Sequence, residues 1–448
     1  MAKHQRKEDR LSSLPDAILI NILSLLPTNT AASTSVLSHR WRYLWTGVTR
    51  LDLILDDAPN LTDFLSNILL QLTSPKLHSF KIEFDSGAFL HDDDDPDADA
   101  VESCFHHICC RNVEQFIFID TRVEEGHFRT PDSFLSCQSL VDLHLFGPLK
   151  FDYKSTQFYL PNLKKLSLIN LSNVPDWVWS LHTFVPFLQD LTLVFETTSR
   201  LPPNVVSPLN LHFLNLKSLT LALIPGFIQV SIDAPEITHL VISGCVLPYT
   251  FRRIPTELIK ACIELRREDK EEDENDYAED FNWFSEFFRG MSIRLEVTLD
   301  GSNFSGNDLL VSLQCFPNLQ HLWVKFDVMG FIDELVQTMW RSPYIVPSCL
   351  VNKLEMIKII GLPLSGIAAG LMLLRYILCN AKVLRKLYFG AWFDEHSQAQ
   401  ELWKERKFCK SLFKLPRCSP TSKVVFSGRF ITSSSNTFKK GKLTCKMT

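Results

Sequence analysis

The phrases "LVDLHL" at 140–145 and "LKKLSL" at 163–168 decide how this chain is read. Each carries apolar residues at positions 1, 4 and 6 of a six-residue unit. Positions 4 and 6 are two residues apart, so in an extended chain Leu143 and Leu145 point the same way, as do Leu166 and Leu168. The phrase returns as "LQDLTL" (188–193), "LKSLTL" (216–221), "ITHLVI" (237–242), "LQHLWV" (319–324), "LEMIKI" (354–359) and "LRKLYF" (384–389). Weaker copies start at Leu77, Val113, Leu258 and Ser292. Successive starts lie mostly about 21 to 36 residues apart. One such strand cannot bury its own leucines; each copy must be covered by the next.

The pattern resembles the leucine-rich repeat, with one strand per repeat. The resemblance implies an α/β fold: a solenoid whose strands form a curved parallel sheet, with helices and irregular segments on the outer side. Strands ~4.8 Å apart and about twelve repeats would give a face of roughly 50 Å. If positions 1, 4 and 6 point into the core, positions 3 and 5 point out of the concave side. Position 5 reads Lys81, Ile117, His144, Ser167, Thr192, Thr220, Val241, Cys262, Glu296, Trp323, Lys358 and Tyr388, a mixed row with no cationic cluster to hold a phosphate. His144, His321, Trp323, Lys358 and Tyr388 are the candidates for contacting a target. Trp323, with His321 two residues before it, is either an aromatic anchor for a partner or a residue covered by a later part of the chain.

The amino-terminal stretch has a different period. Pro15 suits a first helical turn, and Asp16 places negative charge where the helix dipole favours it. Ile18, Ile22, Leu25 and Leu26 then form one apolar stripe, and Pro27 ends that helix. Thr28 or Thr30 can cap a second helix through Val36 and Leu37, and Ser38 a third on which Trp41, Leu44 and Trp45 share a face. Three helices in about forty residues bury too little to stand alone. The stretch "LSSLPDAILINILSLLPTNTAASTSVLSHRWRYLW" (11–45) resembles the F-box, most closely the plant variety. The resemblance implies a three-helix module that binds the Skp-type linker subunit of cullin–RING ubiquitin ligases. Carried over, it points to Leu14, Pro15, Ile22, Leu26, Val36, Leu37, Trp41 and Trp45 as that interface or its immediate support. The two tryptophans are then expected to be partly covered by the other protein.

Toward the carboxyl end, "VPSCLVNKLEMIKIIG" (346–361), "LLRYILCNAKVLRKLYF" (373–389) and "LFKLPRCSPTSKVVF" (412–426) resemble the FBD region that follows F-box and leucine-rich repeats in many plant proteins. The helix "SGIAAGLMLLRYIL" (365–378) lacks the acidic residue usual there, so its outer face is expected to be apolar. The expected organisation is an F-box at 8–50, repeats at 51–340, an FBD-like region at 341–428 that completes the array, and a tail at 429–448. Two acidic runs, "HDDDDPDAD" (91–99) and "REDKEEDENDYAED" (267–280), read as solvated loops.

Composition narrows the function. The 448 residues are 46% apolar and 22% charged, with a net charge of −5 and no basic stripe, which argues against nucleic acid as partner. The uncharged run from Ile359 to Leu374 is too short and too interrupted by Gly and Pro for a membrane helix, and reads as a buried strand, a turn and a buried helix. "MAKHQRKEDR" has no apolar segment of a secretion signal behind it, so the single, scattered cysteines read as reduced thiols in cytosol or nucleus. "CFHHICC" (104–110) reads as a helix with buried thiols, because no second ligand pair lies at zinc-finger distance. No phosphate-binding loop, nucleophile elbow or H-E-x-x-H occurs, and only 16 glycines are present. The expectation is a substrate-recognition adaptor with no catalytic residue, metal or cofactor, set against a small-molecule receptor or a linker-binding scaffold without a role in degradation.

Overall fold

Every leucine phrase whose residues are described forms a strand with positions 1, 4 and 6 shut away from solvent; none of these side chains is more than 2% exposed. The computed structural model describes residues 11, 13–55, 61–84, 103, 105–121, 128–129, 137–150, 159–171, 181–195, 209–222, 230–245, 249–266, 296–301, 309–310, 313–326, 345–363, 367–392, 398–436 and 444–445. Both acidic runs and the lysines at 439, 440, 442 and 446 lie outside them. The chain divides into two units, 1–203 and 204–448.

In the first unit, α1 (Asp16–Leu23), α2 (Thr28–Ser33) and two 3-10 turns (Thr34–Val36, Trp41–Gly47) lead into β1 (Arg50–Leu55). After α3 (Leu61–Gln71) come β2 (Ser79–Phe84), β3 (Gln115–Asp120), the short β4 (Phe128–Arg129), β5 (Asp142–Lys150), β6 (Lys165–Leu171), α4 (Leu181–Phe184) and β7 (Asp190–Phe195). Strands β1, β2, β3, β5, β6 and β7 are parallel neighbours in that order. Strand β1 is itself a repeat: "VTRLDL" (48–53) buries Val48, Leu51 and Leu53.

In the second unit, β8 (Leu209–His212), β10 (Val230–Asp233) and β12 (Tyr249–Phe251) form a separate three-stranded parallel sheet. They alternate along the chain with β9 (Ser218–Ala222), β11 (His239–Cys245) and β13 (Lys260–Arg266), which pair in parallel and continue through β14 (Glu296–Gly301) and β15 (His321–Phe326). The array runs on through α5 (Ser348–Asn352), β16 (Met356–Pro363), α6 (Ile367–Asn380), β17 (Lys386–Trp392), α7 (Gln398–Lys414) and β18 (Lys423–Ser427). The uncharged run 359–374 is therefore the end of β16, a connection and the start of α6, and Met372 on that helix is exposed as its sequence implies. Strand β18 then pairs antiparallel with β19 (Ile431–Asn436), and β19 with β20 (Thr444–Cys445), so residues expected as a tail contain two strands.

Repeat length decides what lies between the strands. The phrases at 216, 237 and 258 start 21 residues apart, too few for a strand, two turns and a helix of several turns, and there the chain uses a second strand. Asp233 holds that small sheet together. Its carboxylate accepts from Arg253 Nε at 2.6 Å and pairs with His212 Nδ1 at 2.7 Å, and the Arg253 bond first, then His212, holds its pKa below the usual range. The phrases at 354 and 384 are 30 apart, which leaves room for α6.

Two backbone devices recur. The position-2 carbonyl of one repeat accepts from the position-2 and position-3 N–H groups of the next, as Glu114 does from Val141 and Asp142, and Lys217 from Thr238 and His239. A buried residue three before the phrase (Leu160, Val185, Ala234, Phe316) accepts from the N–H of position 1, closing a tight turn into each strand. A proline follows it in each of these four, at 161, 186, 235 and 317.

Register corrects one phrase. Cys262 pairs with Thr298 and Thr298 with Trp323, so the copy assigned to Ser292 begins two residues later, at Arg294. Glu296 therefore belongs to position 3 and Thr298 to position 5. The arginine at position 1 hides the phrase from a search for apolar residues.

Candidate functional site

The first fifty residues present two apolar faces. Leu19, Leu23, Ala31, Trp41, Leu44 and Val48 are buried. Three buried polar side chains accompany them. Thr28 Oγ1 accepts from the Asp52 N–H at 2.8 Å, tying α2 to β1; Ser24 Oγ accepts from the Thr49 N–H at 3.1 Å; Thr46 Oγ1 donates to the Tyr43 carbonyl at 2.8 Å. Thr28 is thus used against the strand, while Pro27 occupies the cap position without a side-chain bond. Arg40 closes the outer side: its guanidinium donates to Asp16 Oδ1 at 2.6 and 2.8 Å and to the Leu14 carbonyl.

The other face is uncovered. Ile18, Ile22 and Leu25 lie at i, i+4 and i+7 along and just beyond α1, and Val36, Leu37 and Tyr43 follow on the next turns. Val36 is 85% exposed, Leu25 73%, Tyr43 69% and Leu37 62%. This stretch holds a large share of the chain's exposed large apolar side chains within its described residues. Such a concentration marks a surface that another molecule covers.

Among the residues expected at this face, Ile22, Val36 and Leu37 are exposed, Pro15 is exposed, and Leu14 and Leu26 are half-covered. Of the two tryptophans, Trp41 departs from the expected partial cover by another protein. Trp41 is only 5% exposed and is covered by this chain itself, so it can serve the face only as the floor beneath it; Trp45 is half-buried. The helix expected around them is a 3-10 turn, whose three-residue period keeps Trp41 and Leu44 on the buried side and turns Trp45 away from it. Ile18, Leu25 and Tyr43 were not singled out as contact residues by the sequence. The signal available was that α1 is apolar on both sides, with Leu19 and Leu23 inward and Ile18 and Ile22 outward.

The second candidate face is the outward side of the strands. In the first unit its charges neutralise one another: Lys81 Nζ lies 2.8 Å from Glu83 and 3.8 Å from Asp52, and the Glu83 bond, then Asp52, holds the lysine's pKa above normal. His144 sits between Ile117 and Ser167 at position 5, half-buried; burial lowers its pKa, opposed in part by Asp142. In the second unit, Trp323, Lys358 and Tyr388 are partners in register on β15, β16 and β17. The Lys358 ammonium lies 4.5 Å from the Trp323 ring centroid and 5.8 Å from that of Tyr388. Trp323 is 37% exposed, so no later segment within the described residues seals it. His321, two residues before it, is half-buried.

The 104–110 cluster differs from its expectation. Phe105 and Ile108 are the buried members of the helical turn, while His106, His107 and Cys110 are exposed and Cys109 is half-buried. The i, i+3 spacing gives the inward face to the phenylalanine and isoleucine rather than to the thiols of Cys109 and Cys110, and Cys104 lies outside the described residues. Among the described residues no group of three metal-ligating side chains comes together, and no helix is long and apolar enough to cross a membrane.

Comparison with known proteins adds the family context. The F-box domain matches residues 11–52 and the FBD matches residues 343–389. F-box/LRR-repeat protein 13 of Arabidopsis thaliana is 28% identical, the alignment covering 95% of this chain and 97% of that protein. An F-box/FBD/LRR-repeat protein of the same plant is also 28% identical, over 85% of this chain and 84% of its own length. A putative F-box/FBD/LRR-repeat protein is 27% identical, over 94% and 97%. With an F-box leading into strands built on a leucine repeat and an FBD over their last members, this chain has the make-up of the Arabidopsis F-box/FBD/LRR-repeat proteins to which it is similar.

Proposed function

We propose that the chain is the substrate-recognition adaptor of a cullin–RING ubiquitin ligase. The uncovered apolar face of residues 18–43 docks on the Skp-type linker subunit, and the outward side of the repeat strands holds the target. The observation that supports this most is the separation of two apolar faces in one short helical stretch: one is bonded to β1 through Thr28 and to Thr49 just before it through Ser24, and the other exposes Leu25, Val36, Leu37 and Tyr43. A chain with no other subunit to bind gains nothing by leaving them in water, since each costs about 1.5–3 kcal/mol of unrealised burial.

In this reading Leu14, Pro15, Ile22, Leu26, Val36, Leu37 and Trp45 contact the linker, and Trp41 supports them from below. Binding supplies proximity rather than bond chemistry: the target is held near the ubiquitin-loaded enzyme and its effective concentration rises. The test is a comparison in cells between the wild-type chain and a Leu14→Ala, Pro15→Ala double variant, with linker capture and the lifetimes of co-purifying proteins as readouts. The variant is expected to lose the linker, keep its co-purifying proteins and lengthen their lifetimes. Unchanged lifetimes after loss of the linker would remove the degradation role, and an undiminished linker complex would remove the residue assignment.

A further inference from the structure

The outward side of β15–β18 combines lysines and aromatic rings. Positions 3, 5 and 7 on these four strands carry no Asp or Glu; the acid-free run begins at β15, because β14 carries Glu296 and Asp300 in register with His321 and Lys325. Two rows run across them. At position 5 the order is Trp323, Lys358, Tyr388, with the ammonium between the two rings. At position 3, Lys386 stands directly opposite Lys423, and both are exposed. Like charges directly opposite on neighbouring strands destabilise a sheet, and a bound anion relieves that repulsion. Glu355, on the rim beside them, is engaged by Arg385, with Nε 3.3 Å from Oε2. In the first unit, by contrast, Lys81 has Asp52 and Glu83 on its own face.

We infer that this face docks an extended acidic segment of a partner polypeptide, its Asp or Glu side chains on Lys386 and Lys423 and an apolar or aromatic neighbour on the Trp323–Tyr388 rings. The inference rests on the adaptor reading and specifies the chemistry of the target. Carboxylates spread along a chain fit better than a single phosphate. The cations are lysines, separate point charges on successive strands, and the nearby arginine that could offer a planar fork is held by Glu355. Four strands ~4.8 Å apart present ~14 Å, the reach of about five extended residues. Trp323 and Tyr388 supply rigid apolar area at little conformational cost, as aromatic anchors at interfaces do.

The experiment titrates the full-length chain into a fluorescent peptide of about eight residues, long enough to cross the four strands, rich in Asp and Glu with one aromatic residue. A matched Asn/Gln peptide and a peptide charged only by phosphoserine run in parallel. The acidic peptide is expected to bind, with affinity falling as salt rises. Lys386→Glu with Lys423→Glu is expected to weaken it at least tenfold, as is Trp323→Ala through loss of the ring. Lys386→Gln with Lys423→Gln, which avoids new charge, provides the same test with a smaller loss should the reversal disturb folding. Equal binding of the Asn/Gln peptide, preference for the phosphoserine peptide, or indifference to the lysine variants would overturn the inference. Linker capture by the wild-type chain, measured on the same preparation, reports on the adaptor reading separately.

Discussion

Glu405 on α7 shows how much one side chain can carry. It is fully buried, and its two carboxylate oxygens accept from the N–H groups of Arg429, Phe430 and Ile431 at 2.9 to 3.2 Å. Those donors turn the chain from β18 into β19, so the helix is bonded to the hairpin that ends the parallel array. Gly428 leaves room for it: a Cβ there would lie 2.5 Å from a Glu405 oxygen. Phe408, one turn along the helix, stacks 4.9 Å from Phe389 on β17, and Cys409 has its thiol pushed up to about 12, by burial first and the Glu405 carboxylate second. Replacing Glu405 with Ala strands three backbone donors and is expected to cost about 2–4 kcal/mol, and Gln less, because it retains one acceptor. Urea unfolding of the two variants checks this; a loss below about 0.5 kcal/mol for Ala would contradict the role given to the carboxylate. Nothing in the sequence announced Glu405. A glutamate amid "QELWKERKF" reads as one more solvated helix charge, and only the arrival of a turn from 24 residues further on makes it internal.

At the scale of the element, position 8 of the repeat carries a rule that the leucines do not reveal. Gly147, Gly244 and Gly361 occupy it with φ of 142°, 121° and 86°, and Asn170 occupies it with φ of 66°. These are conformations that glycine adopts freely and asparagine tolerates. Beside three of them the pairing slips, between Phe146 and Leu149, Ile169 and Leu171, and Ile360 and Leu362. The extra residue bends the strand locally, and pairing resumes beyond it at Leu149, Leu171 and Leu362. A Cβ on Gly147 would lie 2.7 Å from Cβ of Asp120 on β3 and 3.0 Å from its carbonyl oxygen, so Gly147→Ala is expected to cost about 2–3 kcal/mol through strain and contact together. A thermal melt of that variant within a degree of wild type would show that the bulge does not need glycine. The leucines at positions 1, 4 and 6 were visible because burial demands one residue class there. Strands β8, β10 and β12 were not, since "LNLH", "VSID" and "YTF" are three or four residues long and share no phrase.

For the whole molecule, the two ends of the chain were the easiest to read and the surfaces between them the hardest. The F-box match spans residues 11–52 and the FBD match residues 343–389; the second stops short of 412–426, which the residue pattern also assigned to an FBD-like region. The outward face of β15–β18 was not readable as a single row. Position 5 alone shows one lysine between two aromatics, and its character appears only when Lys386 and Lys423 are brought alongside by the register of β17 and β18. The tryptophans misled in part, since Trp41 is satisfied inside this chain and the exposed aromatic is Tyr43. The central claim is that residues 18–43 keep an apolar face for another subunit, and calorimetric titration of a Skp-type linker into the chain tests it most directly. Wild type should bind, and Val36→Asp with Leu37→Asp should weaken binding at least tenfold, about 1.4 kcal/mol, while the unfolding midpoint stays where it was. Equal affinity of the variant for the linker, with its fold intact, would contradict the account.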